Sequence, residues 1–179
     1  MKSLVNKEQY VSQVNLLLDC LPVLRDQDIF SLKGGTAINF FIRDLPRLSV
    51  DIDLTFLKFT GRNTAISEIE NGLRSMSKSI SQRNPRYKIK EIKTQDGILQ
   101  KLMVIDHDIT IKIEPNFIMR GSLLKPEKMN LKKSVEEQFS FSVNDMKSKD
   151  NGSKYSQNCF AAYQDLLREN KLICSSSIL

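Results

Sequence analysis

A chain of 179 residues, 40% hydrophobic and 27% charged, has the size and balance of one folded domain, which excludes the fibrous, low-complexity and disordered classes. Lysine and arginine outnumber aspartate and glutamate 27 to 21, a formal charge of +6 that favours polyanions such as RNA or nucleotides without specifying one. Cys20, Cys159 and Cys174 lack disulfide or zinc spacing, no apolar run is long enough to span a membrane, and MKSLVNKEQY is no signal peptide, so a cytoplasmic, membrane-free setting is expected.

In chain order, Tyr10, Val11, Val14, Leu17, Leu18 and Leu21 recur at three- and four-residue steps and predict an amphipathic helix from Lys7 to about Leu24. IFSLKG (29–34) reads as a short strand entering a glycine pair, and TAINFFIRD (36–44) as a helix starting at Thr36 and closing before Pro46. LSVDIDLTFL (48–57) alternates apolar Val50, Ile52 and Leu54 with Ser49, Asp51, Asp53 and Thr55, a strand with one buried face and one carrying carboxylates. Ile66, Ile69, Leu73, Met76 and Ile80 place a second helix within 62–83. Strands follow at 86–93, 99–106 and 109–116, separated by the turns Gln95-Asp96-Gly97 and Asp106-His107-Asp108.

Beyond Arg120 the pattern weakens. NLKKSVEEQF is ambiguous, FSFSV (139–143) reads as a short strand, residues 146–158 are polar, and 159–172 fit a helix through Phe160, Tyr163, Leu166 and Leu167. The expected class is α/β (α+β), a mixed central sheet flanked by helices, with one domain over residues 1–145 and a divergent tail over 146–179.

Asp51 and Asp53, two apart on a strand, project to one side, where their oxygens can share divalent cations, normally Mg2+ or Mn2+. Phosphoryl transfer usually wants a third carboxylate, and Glu114 on the polar face of ITIKIE is the candidate; a solvated carboxylate paired with Lys112 is the equal alternative. Gly34 and Gly35 permit a tight turn close to a phosphate, Thr36 adds a hydroxyl, and Arg47 and Ser49 precede the aspartates as secondary phosphate contacts. Lys33 is ambiguous between phosphate binding and an ordinary surface role, and His107, in a turn, receives none.

KGGTAINFFIRDLPRLSVDIDL (33–54) closely resembles the first motif of the AbiEii/AbiGii toxin nucleotidyltransferases of the polymerase-β-like superfamily, and IKIEPNFIMRG (111–121) is similar to that family's central acidic strand. The resemblance implies a nucleotidyltransferase fold and the toxin half of a type IV toxin–antitoxin or abortive-infection (phage defence) system, moving NMP from an NTP to an RNA acceptor, with tRNA the expected class. It implies metal at Asp51, Asp53 and Glu114, NTP phosphates at Gly34, Gly35, Thr36 and Ser49 with Arg47 assisting, and a cognate AbiEi-type antitoxin without a stable complex. The family continues through a Gly-Ser-Lys segment into a helical domain. NGSK (151–154) matches it in part, so Lys154 is the expected catalytic lysine, and the helical C-terminal domain is expected to be missing or truncated. A same-fold small-molecule transferase and a non-catalytic nucleotide- or antitoxin-binding remnant are the alternatives.

Overall fold

The computed structural model describes residues 2–42, 50–122, 126, 128–138 and 157–158. The chain order is α1 (Lys2–Arg25), β1 (Phe30–Lys33), α2 (Gly34–Ala37) continuing as a π-helical turn (Ile38–Ile42), β2 (Ile52–Phe56), α3 (Arg62–Arg83), β3 (Lys88–Lys93), β4 (Leu99–Asp106), β5 (Ile109–Arg120), β6 (Lys128–Met129), α4 (Lys133–Gln138) and β7 (Gln157–Asn158). Five strands form one mixed sheet in the order β1-β2-β5-β4-β3, with β2 and β5 parallel and the other neighbours antiparallel; β6 and β7 pair separately. This is the mixed α/β class expected.

Alternation decides the faces of the sheet. Ile52, Leu54 and Phe56 of β2, Leu102 and Val104 of β4, and Ile111 and Ile113 of β5 are buried in one core with α1 and α3. Residues between them on β2 and β5, Asp53, Lys112 and Glu114 among them, stay half-buried on the other face. α3 presents Ala65, Ile69, Leu73, Met76 and Ile80 to the core, and at Gly72 it comes so close to β1 that a Cβ would stand 2.6 Å from the Phe30 ring.

α1 departs from a simple amphipathic helix. From Val14 to Leu24 its apolar side chains are buried on almost every side, including Leu16, Cys20 and Val23, which the stripe of Tyr10, Val11 and Leu18 did not contain. Burial raises the Cys20 thiol well above its ordinary value, which leaves it an inert apolar group. Asp19, pushed up by burial, accepts a 2.6 Å hydrogen bond from the Tyr87 hydroxyl, and Arg86 beside it pairs with Asp106 at 3.1 Å, so the helix is tied to the approach of β3 and the end of β4.

β3 forms an outer edge and carries exposed Lys88, Lys90 and Lys93. β5 runs four residues past the expected end at Asn116, although Pro115 lies within it. Pro115 is tolerated because β4 pairs only with Ile109–Ile113; further along, β5 is bonded to β2 alone and needs no donor on the other side. Lys128–Met129 form β6 and Lys133–Gln138 form α4, the latter within NLKKSVEEQF where the sequence was ambiguous, and the Lys132 amide donates to the Phe40 carbonyl at 2.9 Å. The expected 145/146 boundary, strand 139–143 and helix 159–172 lie outside the described residues.

Candidate functional site

The strand register brings the acidic residues together. Lys33 of β1 is paired with Asp53 of β2, and Asp53 with Glu114 of β5, so three side chains from neighbouring strands stand in a row on the polar face. Strand spacing sets them roughly 5 Å apart at the backbone. They line an open cleft of about 280 Å³ together with Gln100, Asn116 and Ile118. Asp51, one residue before β2, projects to the same side as Asp53, and the Lys112 ammonium lies 3.4 Å from its Oδ2 and 3.1 Å from Oε2 of Glu114.

Charge in this row is unevenly compensated. Burial first, and then the neighbouring Asp51 carboxylate, raise Asp53 above the usual carboxylate range; Lys112 and Lys33 pull it back, and Glu114 pushes it up again. Lys112 is held above its ordinary value chiefly by its hydrogen bond to Glu114, with Asp51 adding to the effect. Glu114 is therefore paired with Lys112, as one reading of the sequence had it, and also faces the cleft, as the other did.

The glycine turn is built around Asp53. Gly34 has φ +75, and a Cβ there would stand 2.7 Å from Asp53 Oδ2, so only glycine lets the backbone pass the carboxylate this closely. The helix starts at Gly34 rather than at Thr36, because glycine adopts the left-handed backbone that opens it. Thr36 is fully buried and its hydroxyl donates to the Asp51 carbonyl at 2.5 Å, which fixes the entry of β2 against the helix. It acts here as a positioning residue for the aspartates. The segment 38–42 winds as a π-helix, a rare form often found at functional sites, and buries Asn39, Phe40 and Phe41.

Lys33, Gly34, Thr36, Asp51, Asp53 and Glu114 are thus gathered at one place, with Gly35 on the same helical turn. Arg47, Ser49 and Lys154 lie outside the described residues. Sequence reading did not find Gln100 in the cleft or Lys112 between two carboxylates; alternation puts Lys112 on the polar face but does not report which neighbours meet across strands. Among the described residues no three of His, Cys, Asp and Glu stand grouped to hold one metal ion, and no helix is long and apolar enough to cross a membrane.

A family model described as the nucleotidyl transferase AbiEii toxin of a type IV toxin–antitoxin system matches residues 16–147. No curated protein and no solved structure matches. The matched span covers most of the chain and contains β1 to β5, the glycine turn and all three carboxylates, and the type IV description implies an antitoxin partner. The chain belongs to the AbiEii nucleotidyltransferase toxin family.

Proposed function

We propose that the chain transfers a nucleoside monophosphate from an NTP to a hydroxyl of an RNA, with tRNA the acceptor class, using Mg2+ or Mn2+ held by Asp51, Asp53 and Glu114. The observation that carries this reading is the row of Lys33, Asp53 and Glu114 with the Gly34 backbone against the middle carboxylate. The charge here would be met by a divalent cation, since Asp53 is raised first by burial and then by Asp51. The three carboxylates are not grouped around one point as they stand, and the ammonium of Lys112 between Asp51 and Glu114 would have to give way. When bound, the metal supplies positive charge to the α-phosphate and the departing pyrophosphate.

The residues of the chain do the rest. The amides at Gly34 and Gly35 and the ammonium of Lys33 hold the β- and γ-phosphates, with Arg47 and Ser49 from the segment before β2. The acceptor oxygen bonds to the α-phosphorus, the bond to the bridging oxygen breaks, and the hydroxyl proton passes to a carboxylate oxygen of the acidic set. Thr36 keeps Asp51 in register, and Lys154 adds positive charge. The cognate antitoxin is of the AbiEi type and acts without a stable complex.

Incubation with labelled NTPs, total RNA and a panel of small hydroxyl acceptors tests this. Label is expected in RNA. Label confined to small acceptors, or none together with no NTP binding, removes the proposal.

Lys112→Met gives a test of the metal that does not require turnover. Without Lys112 the carboxylates repel one another, so the metal-free variant should melt about 2–4 °C below wild type, about 1 kcal/mol for a pair this exposed. Mg2+ should then raise its Tm more than that of wild type. An equal Mg2+ shift in wild type, Lys112→Met and Asp51→Asn would place the ion elsewhere.

A further inference from the structure

Among the described residues the exposed large hydrophobic side chains are Phe59 at 76%, Ile118 at 89% and Met119 at 51%. They are not scattered. Phe59 and Ile118 line one groove of about 370 Å³ with Thr60 and Arg120, and Ile118 also lines the cleft of Asp53 and Glu114, so groove and cleft adjoin at Ile118.

The fold fixes this surface deliberately. Thr55 pairs with Asn116 but Phe56 with Arg120, so Phe117, Ile118 and Met119 are extra residues bulged out of the ladder. The Asn116 side-chain oxygen accepts hydrogen bonds from the amides of Ile118 and Met119, at 2.9 and 3.0 Å, and holds the bulge. The Phe59 ring comes so close to the backbone that a Cβ at Gly121, itself at φ +79, would be 2.2 Å from its Cζ. Arg120 donates to the Thr60 carbonyl at 3.1 Å, and the Gly121 amide to the Phe56 carbonyl at 2.8 Å. An aromatic ring thus abuts Gly121 while most of it faces solvent, in a groove it shares with Arg120, on a chain with a net charge of +6.

We propose that Phe59 and Ile118, with Arg120, form the platform on which unstacked bases of the RNA acceptor lie, an assignment that rests on the RNA-transfer reading above. Position along β2 selects the acceptor over the NTP base. The glycine turn stands at the level of Asp53 and Glu114, near the start of the strand, and the platform lies further along, past its end at Phe56. In-line displacement puts the attacking oxygen and the departing pyrophosphate on opposite sides of the α-phosphorus, so phosphates at the glycines place the acceptor toward Phe59. An exposed aromatic ring with an arginine in the same groove suits stacking without regard to sequence.

Fluorescence anisotropy of a labelled single-stranded RNA decamer, and separately of a fluorescent ATP analogue with Mg2+, tests the platform on the full chain. Phe59→Ala should weaken RNA binding between about fivefold and a hundredfold, the range for losing one stacked base, with nucleotide affinity unchanged and Phe59→Trp restoring RNA binding, and Ile118→Ser, at the border of the cleft, should weaken RNA binding as well. Both side chains are exposed, so circular dichroism should report intact folds. Unchanged RNA binding in both variants overturns the proposal, as does loss of nucleotide binding alone, which would make this the NTP base site. A wild-type dimer that Phe59→Ala converts to monomer would assign the surface to a second copy. If total RNA takes no label yet Phe59 governs RNA binding, the transfer reading fails and the platform stands; if label is transferred and Phe59→Ala binds RNA normally, the platform alone fails.

Discussion

Asp53→Asn should lower nucleotide incorporation by about three orders of magnitude or more while leaving the Tm at or above the wild-type value. Asp53 is the middle member of the row, paired in register with both Lys33 and Glu114, and the residue the glycine turn encloses. Losing its charge removes several kcal/mol of charge stabilisation at the transferring phosphate, and each ~1.4 kcal/mol is about tenfold in rate. Stability should move the other way, because this carboxylate is desolvated and repelled by Asp51 and Glu114.

The pH dependence follows from the same direction of shift. A carboxyl whose pKa is raised on folding binds its proton more tightly in the folded state, so its contribution is greatest at low pH and is lost as pH rises from the ordinary carboxylate range through the raised value. Wild type should therefore lose more stability than Asp53→Asn across that window, in paired thermal melts without metal. A variant that melts lower than wild type at neutral pH, or that keeps near-normal incorporation, would contradict this role for Asp53.

Gly34→Ala is expected to reduce incorporation about a hundredfold and lower the Tm by about 3–8 °C. A non-glycine residue at φ +75 costs about 1–2 kcal/mol, and each kcal/mol is worth roughly 2–4 °C in a domain of this size. The methyl would also meet Asp53 Oδ2 at 2.7 Å and push the carboxylate aside, and a shift of about 1 Å in a reacting group can cost about a hundredfold. Gly61→Ala is the control: nothing lies within 4 Å of its would-be Cβ, so both readouts should match wild type. If Gly34→Ala loses stability but keeps full activity, the turn serves the fold and not the site.

Periodicity made much of this legible. The stretch 62–83 forms α3 and 99–106 forms β4 with the bounds their patterns predict, and the alternation of DIDLTF put Asp53 on the face opposite Leu54. Those features depend on which way neighbouring residues in one segment point. What the sequence left open depends on the register between segments: that Asp53 falls between Lys33 and Glu114, or that Lys112 reaches both Asp51 and Glu114. Helix start and form around 34–42 were misjudged because the left-handed Gly34 and the π-turn of Ile38–Ile42 have no periodic signature. The end of β5 was set four residues early because the bulged residues Phe117, Ile118 and Met119 break the alternation before the strand rejoins β2 at Arg120.

The lysines of β3 bear on how the molecule meets other copies of itself. An unpaired strand invites another chain to add to the sheet, and three ammonium groups along six residues make that addition costly by charge repulsion between matching edges. At high concentration, edge-to-edge polymerisation through β3 is thereby suppressed, and it should emerge only when those lysines are neutralised, by acetylation for example.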